Sequence, residues 1–379
     1  MDAEVGIIGV GTMGSMAAWQ LAKRDISVIG FEQFGIGHDR SAAGGESRLF
    51  RTAYMEGPEY VPLLFQARKL WRKLEEESGN SLLFLNGGLM IGEADSPEIK
   101  TILNSIQEFR LAHEILPKEK AEQKFPQFKF FKDDLVILDK EAGFIRPELA
   151  VVSATNLAVK YGATIMPYTK VEKIIPEENG VRIFAGGKWF KVAKVVIATG
   201  AWTAKLLPEI KDLLIPRRLV LTWFIPKNIE ATKPDKLPVF ARLRGDFRLT
   251  GVPTLDGTMV KASYTKNPEV ISDPESLSRD VYSEEIEKLR ESVKQLFPVV
   301  YPDPVRASVY MDAYTPDHHA LLGYLPNWKN VVFASGFSGH GFKLAPIIGE
   351  IITELLIDGK TKYNIKHLDP LRFVNSFLS

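Results

Sequence analysis

The fold is decided at the start of the chain, by the stretch Val5-Gly6-Ile7-Ile8-Gly9-Val10-Gly11-Thr12-Met13-Gly14. An apolar run that ends in Gly-x-Gly-x-x-Gly is typical of a buried parallel strand that turns tightly into a helix. Apolar residues recur at helical spacing from Met13 to Arg24, and a second apolar run extends from Ile26 to Phe31. The sequence therefore predicts a βαβ unit at the beginning of the chain.

Each glycine of this turn has a physical task. Gly9 allows the tight turn, Gly11 lets a diphosphate approach the backbone, and Gly14 lets the helix pack closely on the strand. Glu32 ends the second apolar run, about 20 residues further on, where a carboxylate can accept hydrogen bonds from ribose hydroxyls. The carboxylate also argues against a 2′-phosphate, and hence against NADP. The motif predicts a dinucleotide site but does not separate FAD from NAD.

Composition excludes several other classes. The 379 residues are 45% hydrophobic and carry a formal net charge of +1, which gives no electrostatic reason to expect nucleic acid or an anionic membrane as partner. The absence of cysteine excludes disulfides, thiolate catalysis, cysteine-ligated zinc and iron–sulfur clusters, and no metal site is expected. No apolar run is long enough for a membrane span, and no signal peptide is recognisable, so a cytoplasmic protein is expected. The short basic pair Arg217-Arg218 is expected on the solvated surface.

The pattern of strand and helix signals predicts an α/β fold, α+β overall, with a discontinuous Rossmann-like domain. Strand signals dominate from Leu219 to Tyr264. Longer helices are predicted at Glu59–Glu77, Pro147–Tyr161, Glu284–Leu296 and Pro346–Leu356. The simplest organisation is a cofactor-binding domain of residues 1–80, 145–218 and 305–379, into which a β-rich substrate-binding domain is inserted as residues 81–144 and 219–304.

Later segments separate FAD from NAD. Arg40 to Arg51 reads Arg-Ser-Ala-Ala-Gly-Gly-Glu-Ser-Arg-Leu-Phe-Arg, Val195 to Trp202 reads Val-Val-Ile-Ala-Thr-Gly-Ala-Trp, and Gly336 to Lys343 reads Gly-Phe-Ser-Gly-His-Gly-Phe-Lys. Together with Thr315-Pro316-Asp317, these segments resemble the FAD-dependent amine oxidases of the D-amino-acid oxidase superfamily, the group that includes monomeric sarcosine oxidase and N-methyltryptophan oxidase. The resemblance runs essentially from end to end and implies FAD as the cofactor.

The resemblance also implies which residues contact the FAD. Gly336 to Gly341 matches the turn that wraps the flavin, and within it His340 is expected to pack or form hydrogen bonds rather than act as a base. The implied cofactor residues are Gly9, Gly11, Thr12, Met13, Gly14, Glu32, Gln33, Ser41, Gly45, Arg48, Val171, Thr199, Gly200, Trp202, Gly336, Ser338, Gly339, His340, Gly341, Phe342 and Lys343.

Four cations match positions with assigned tasks in the family. Arg51 and Lys343 match the residues that bind the substrate carboxylate; the alternative is that each is a solvated surface cation. Arg48 matches an arginine over the flavin ring, where it would polarise the cofactor. Lys261 matches a lysine held near flavin N5 through water, which is needed for reaction with oxygen. Strand alternation leaves open that Lys261 simply points outward from its sheet.

The chain departs from the family pattern at several positions of the site. Tyr310 stands where the close relatives attach FAD through a cysteine, so the FAD is expected to bind non-covalently. Gly44 and Thr265 replace pocket histidines, and Asp312 replaces a tyrosine. Asp312 could receive a basic group of the substrate or could face solvent. Sarcosine is therefore a doubtful substrate.

The resulting hypothesis is oxidation of an amino acid or N-methyl amino acid at a C–N bond. The hydride equivalent would pass to flavin N5, and oxygen would reoxidise the flavin with release of hydrogen peroxide. One alternative is a flavin-dependent dehydrogenase of proline or a 2-hydroxy acid that uses an acceptor other than oxygen. An alternative of another class is a non-catalytic flavin-binding protein. The sequence does not predict the oligomeric state.

Overall fold

The computed structural model describes residues 1–245, 247–264, 268–325 and 328–373. Its helices are α1 (Thr12–Ala22), α2 (Val61–Ser78), α3 (Pro97–Phe109), α4 (Lys118–Lys124), α5 (Pro147–Lys160), α6 (Thr203–Leu206), α7 (Ser283–Leu296) and α8 (Ala345–Asp358).

Its strands are β1 (Ala3–Ile8), β2 (Val28–Phe31), β3 (Arg48–Phe50), β4 (Leu83–Phe84), β5 (Gly88–Glu93), β6 (His113–Leu116), β7 (Asp134–Asp139), β8 (Gly143–Ile145), β9 (Thr164–Met166), β10 (Val171–Glu177), β11 (Gly180–Ala185), β12 (Lys188–Ile197), β13 (Ile215–Phe224), β14 (Val239–Arg244), β15 (Phe247–Val252), β16 (Val260–Tyr264), β17 (Glu269–Val270), β18 (Arg306–Tyr314), β19 (Leu321–Leu325) and β20 (Trp328–Ser335).

The first sheet has the order β10-β11-β12-β1-β2-β9, with β20 paired to β12 and β19 to β20. β1 runs parallel to both β12 and β2, so that Ile8 lies opposite Ile197 on one side and Phe31 on the other. The carboxyl ends of these strands therefore meet at one edge, the place where open parallel sheets bind ligands. α1 packs against α5 and α8, and a Cβ on Gly349 would lie 2.6 Å from the backbone carbon of Met16.

The second sheet has the order β17-β13-β16-β15-β14-β5-β7-β6, with β18 paired antiparallel to β13. α7 covers this sheet with a face of Leu289, Val293 and Leu296, which joins a buried cluster that includes Phe240 and Phe297. The strands of this mixed sheet and the helix together enclose a separate apolar core.

A small third sheet, β3-β8-β4, places the first cations of the site. β3 contacts β15 of the second sheet and the helical turn Phe342–Leu344 that precedes α8. Arg48, on β3, and Arg51, directly after it, are therefore held beside the segment that precedes the last helix.

The predicted fold class and the opening βαβ unit are confirmed, and the long helices lie within a few residues of their predicted limits. The division into two domains stays a prediction, and β18 contributes its strand to the second sheet. The interpretation of Arg217-Arg218 as solvated surface is wrong for Arg218, which is only 4% exposed because it forms an ion pair with Glu285. Each helix among the described residues is too short or too polar to span a bilayer.

Candidate active site

A cavity of about 410 Å³ lies at the carboxyl edge of the first sheet. The backbone ends of β1, β2, β12 and β20 border it. Among the residues predicted for the site, the cavity is lined by Gly9, Gly11, Thr12, Met13, Glu32, Gln33, Ser41, Arg48, Val171, Thr199, Gly200, Trp202, Asp312, Gly336, Gly339, Gly341 and Phe342. The fold therefore brings segments from the beginning, middle and end of the chain into one crevice.

Other predicted residues do not line the cavity, namely Gly14, Gly45, Arg51, Lys261, Ser338, His340 and Lys343. Thr265 falls outside the described residues. The sequence reasoning missed several polar lining residues: His38, Thr169, Lys170, Glu172, Lys205, Glu275 and Ser335.

The opening glycine turn is shaped to receive a diphosphate. A Cβ on Gly14 would lie 1.9 Å from the carbonyl oxygen of Gly9, whereas a Cβ on Gly11 would meet no atom within 4 Å. Helix and strand are thus in close contact at one glycine, and the backbone is open to the cavity at the other. The Oγ1 atom of Thr12 is buried and has no hydrogen-bond partner among the described residues. An unpaired hydroxyl in the first turn of α1, beside free backbone N–H groups, fits a phosphate oxygen.

Glu32 is fixed at the end of β2 by its neighbours. Its Oε2 accepts a hydrogen bond from the Val10 N–H at 3.0 Å, and its Oε1 accepts one from the Phe34 N–H at 3.0 Å. His38 Nε2 lies 3.4 Å from Oε1. The carboxylate still has lone pairs for ribose hydroxyls, because each oxygen can accept more than one hydrogen bond.

The turn from Gly336 to Gly341 borders the other end of the cavity. Its backbone has positive φ at Gly336 and Gly339, which favours glycine at these two positions, and also at Ser338. Asp312 accepts hydrogen bonds from the N–H groups of Ala313 and Gly339, both at 2.8 Å. Burial raises the pKa of Asp312, although these two hydrogen bonds act to lower it. Asp312 therefore lines the cavity, and both of its oxygens hold the backbone of the turn.

The loop that precedes β3 is held by charges of both signs. Arg48 donates to the carbonyls of Ala42, at 2.6 Å, and of Gly44 and Ser47. On the opposite side, Glu148 accepts from the N–H groups of Gly45 and Glu46. The loop is thereby fixed against the cavity wall that Ser41, Ala42 and Arg48 form.

Lys261 reaches the same loop from β16. Its Nζ donates to the carbonyls of Gly45 and Ser47, both at 2.9 Å, and the residue is 8% exposed. Lys261 lies on the face of β16 opposite to Val260 and Ala262, as alternation predicts, but it is buried there, so the alternative of a solvated lysine is wrong. Burial, reinforced by the positive charge of Arg48, lowers the pKa of Lys261 well below its usual value. Its ammonium can therefore lose a proton far more readily than a surface lysine does.

Tyr310 occupies space that a larger residue at position 44 would need. A Cβ on Gly44 would lie 2.3 Å from Cε1 of the Tyr310 ring. Tyr310 is 4% exposed, and its neighbours Met311 and Asp312 line the cavity. The two departures from the family pattern, a small residue at 44 and a large one at 310, are therefore complementary in volume.

A group of buried charges lies beside the turn from Gly336 to Gly341, which the resemblance assigns to the flavin. Arg51, 5% exposed, forms an ion pair with Glu56 through Nη2, whereas its Nε and Nη1 atoms are buried and have no partner among the described residues. Lys343 donates from Nζ to the carbonyl of His340 at 2.8 Å. The ring of Tyr54 is close to both cations, 5.4 Å from the Arg51 guanidinium carbon and 5.2 Å from Lys343 Nζ. Arg51 and Lys343 are thus buried neighbours rather than solvated surface cations.

The electrostatics of this group follow from burial. Burial, followed by repulsion from Arg51, lowers the pKa of Lys343 to about 7. Burial alone would raise the pKa of Glu56, but Arg51, with His340 and Lys343, holds it below its usual value. Sequence reasoning missed Glu56, and only its position five residues after Arg51 hinted at pairing.

His340 has both ring nitrogens engaged. Tyr54 Oη lies 2.9 Å from Nδ1, and the carbonyl of His318 lies 2.9 Å from Nε2. A carbonyl can only accept, so Nε2 carries the proton and Nδ1 accepts from the tyrosine hydroxyl. Burial lowers the pKa of His340 to about 4, so the ring is neutral at pH 7. This arrangement agrees with a packing and hydrogen-bonding residue.

Residues 4–355 match the family described as FAD dependent oxidoreductase. The chain belongs to the FAD-dependent oxidoreductase family. It is 32% identical over 373 residues to monomeric sarcosine oxidase of Streptomyces avermitilis, with 97% of each chain covered. It is 27% identical over 364 residues to N-methyl-L-tryptophan oxidase of Salmonella dublin, with 95% of this chain and 96% of that protein covered. These likenesses confirm the family resemblance stated from the motifs.

Solved structures of this FAD-dependent oxidoreductase fold superpose closely. NikD, an unusual amino acid oxidase essential for nikkomycin biosynthesis, gives a TM-score of 0.87 at 22% identity, with 97% of each chain covered. L-proline dehydrogenase from P. horikoshii gives a TM-score of 0.85 at 24% identity, with 99% of this chain and 98% of that chain covered. At these identities the likeness shows the fold alone. The family membership shows FAD as the cofactor, and the glycine turn with the unpaired Thr12 hydroxyl makes the cavity the candidate FAD site.

Proposed function

We propose that this chain oxidises an amino acid or an N-methyl amino acid at a C–N bond, with non-covalently bound FAD. The observation that carries the proposal is the buried group of Arg51, Lys343 and Glu56 beside the flavin-wrapping turn. The two relatives described above are named as oxidases of sarcosine and N-methyl-L-tryptophan, both of which are N-methyl amino acids.

The charge balance of the group favours an anionic substrate. Arg51 and Lys343 carry two positive charges when both are protonated, against one negative charge on Glu56, and His340 is neutral. A buried net positive charge is costly unless an anion pairs with it. The Nη1 atom of Arg51 is buried and unpaired among the described residues, so it can donate a hydrogen bond to a substrate carboxylate and help to orient the substrate as well as to balance its charge.

The bound FAD would supply the two-electron acceptor, taking the hydride equivalent at N5, and we propose oxygen as the final acceptor with hydrogen peroxide as product. The side chains of the protein bind the substrate and orient it. Arg51 and Lys343 hold the carboxylate, and their burial excludes water, which strengthens the charge interactions. We assign Lys261, with its lowered pKa, to the oxygen half-reaction, in which it holds or releases a proton at Nζ.

Non-covalent attachment is the second part of the proposal. It is supported by the absence of cysteine and by the Tyr310 ring, which fills the space beside Gly44. Acid precipitation tests this part, because non-covalent flavin stays in the supernatant. Yellow colour in the washed precipitate would contradict it.

The oxidation itself is tested by mixing the purified flavoprotein anaerobically with sarcosine, other N-methyl amino acids, and D- and L-amino acids. Bleaching of the flavin absorbance identifies a substrate. Subsequent mixing with oxygen should restore the absorbance within the turnover time and release hydrogen peroxide. A flavin that bleaches but recovers only with a quinone or dye would instead indicate a dehydrogenase, and a flavin that no amine bleaches would support a non-catalytic flavin protein.

The role of the buried cations has a matched control in the same chain. Arg51→Ala should raise KM for carboxylate substrates steeply, because it removes a positive charge and a hydrogen-bond donor to the carboxylate. Arg68→Ala removes a cation that pairs with Glu141 at the surface and should leave KM unchanged. An unchanged KM in Arg51→Ala would remove Arg51 from substrate binding.

A further inference from the structure

Residues 269–280, called the strap below, connect the second sheet to the cofactor cavity. The strap begins as β17, whose Glu269 and Val270 pair with Arg218 and Arg217 of β13. The Ile271 N–H then donates to the carbonyl of Pro216 at 3.0 Å. The first half of the strap is thus attached to the edge of the second sheet by its backbone.

The far end of the strap is attached to the same strand. The guanidinium of Arg218 donates to the carbonyls of Ser278 and Asp280 and forms an ion pair with Glu285, at the beginning of α7. Because Arg218 is buried, this anchor is shielded from solvent and salt. Both ends of the strap are therefore attached to β13, and its middle extends from β13 toward the first sheet.

The middle of the strap reaches the first sheet through ion pairs. Glu275 lies 2.6 Å from Lys170 Nζ through Oε1 and 3.0 Å from Lys205 Nζ through Oε2. Asp273 pairs with the same Lys205 at 3.0 Å. Lys170 directly precedes β10, and Lys205 lies on α6. The strap has no described backbone hydrogen bond to either of these elements.

These ion pairs lie at the wall of the FAD cavity. Lys170, Lys205 and Glu275 line it, next to Val171 and Leu206 and on the side where Glu32 ends β2. This is the end to which the dinucleotide motif assigns the ribose of the adenosine. The partly buried Ile271 and Leu277 of the strap pack against the apolar cluster of the first sheet, so the strap lies against the rim of the cavity.

We propose that the strap is a clasp that retains FAD, and that Asp273 and Glu275 close it through Lys170 and Lys205. The inference rests on the proposed non-covalent binding, because a flavin without a covalent link leaves the protein at a rate that its surroundings set. Outward movement of the middle of the strap breaks three ion pairs, while the attachments of both ends to β13 stay in place. Such pairs are exposed and screened by salt, so the clasp is weak enough to open and to admit FAD during assembly.

The test is the rate of FAD release from the purified flavoprotein after dilution, followed by the rise in flavin fluorescence. The double variant Asp273→Asn/Glu275→Gln keeps the shape of the strap and removes all three ion pairs. Because each exposed ion pair contributes only modestly, loss of all three should make release about three- to 150-fold faster. Glu230→Gln is the matched control, because it removes an exposed ion pair of 2.6 Å to Lys233, away from the cavity lining. Its release rate should equal that of the wild type.

Salt gives a second readout. Release from the wild type should accelerate between about 0.02 and 0.5 M NaCl, whereas release from the double variant should respond much less, because its ion pairs are already gone. Lys205→Met approaches the same interface from the other side and should also speed release. If circular dichroism shows that the double variant does not fold, the Lys205→Met variant provides the test instead.

The proposal is overturned if the double variant releases FAD at the wild-type rate, or if both respond equally to salt. Slower release would also overturn it, since neutralising the carboxylates would then have freed the lysines to bind FAD directly. Flavin that remains in the acid precipitate would show a covalent link and remove any retaining role for the strap. None of these results depends on amino acid oxidation, so failure of the proposed activity would be recognised separately by the absence of bleaching.

Discussion

Lys343 should make the binding of a carboxylate ligand depend on pH near neutrality. Burial and the neighbouring Arg51 lower its pKa to about 7, whereas a surface lysine titrates about three units higher. Below pH 7 the side chain is an ammonium and attracts a carboxylate; above pH 7 it loses the proton and the attraction. Affinity for a carboxylate should therefore fall as pH rises through this pKa.

The expected magnitude follows from the charge and its surroundings. At an effective dielectric constant of about 20, two unit charges about 4 Å apart attract by about 4 kcal/mol, which limits the total effect to about a thousandfold. The protonated fraction falls from about one half at pH 7 to about 1% at pH 9, so the apparent Kd should rise about fiftyfold over this interval. Arg51 contributes a constant attraction throughout, because a guanidinium stays charged at these pH values.

The assay is a titration of the flavin absorbance with acetate, or with a longer aliphatic carboxylate, from pH 6 to pH 9. Lys343→Met should bind the carboxylate weakly at every pH, with the slope removed, and Lys343→Arg should bind it at every pH with a nearly constant Kd. An unchanged Kd from pH 6 to pH 9 in the wild type would refute the reasoning. A slope that survives in Lys343→Met would assign the titration to another group.

Three further outcomes are expected. Lys261→Met should slow reoxidation of the flavin by oxygen more than tenfold and leave anaerobic reduction nearly unchanged, since the lost cation acts on the oxygen step; equal slowing in stopped-flow traces would count against that role. Gly44→Ala should lower stability by about 1–3 kcal/mol through overlap with the Tyr310 ring, and a thermal melt should show a smaller loss in a Tyr310→Cys background. Thr12→Val should weaken FAD binding about tenfold or more by removing the unpaired hydroxyl, while Thr101→Val, on an exposed helix, should not alter the Kd for FAD.

Much of the candidate cofactor site can be predicted from short stretches of sequence. Gly9, Gly11 and Gly14 act within six residues, and Glu32 follows at the end of the next strand, so spacing alone predicts both the turn and its ligand class. The motif from Gly336 to Lys343 is equally local. Such signals can be recognised before folding because backbone conformation, turn sterics and helix geometry depend on near neighbours.

The partners of the charged residues were decided by tertiary structure. Lys261 donates to the carbonyls of Gly45 and Ser47, more than 200 positions away, and this contact buries a lysine that strand alternation alone would leave open to solvent. Arg218 looked like solvated surface, yet it is buried as the anchor of the strap. Neither contact produces a periodic pattern or a motif in the sequence, because the pairing of distant strands, rather than nearness in sequence, brings these groups together.

The sequence by itself determined the βαβ unit, the FAD-dependent oxidoreductase family and the cations available for a carboxylate. Tertiary structure alone decided that Arg51 and Lys343 share one buried site with Glu56, and that Asp273 and Glu275 meet Lys170 and Lys205 at the cavity rim. The physical reason is that local patterns specify backbone conformation, whereas the strength of a charge depends on its burial and its partners, and both arise only when distant segments pack.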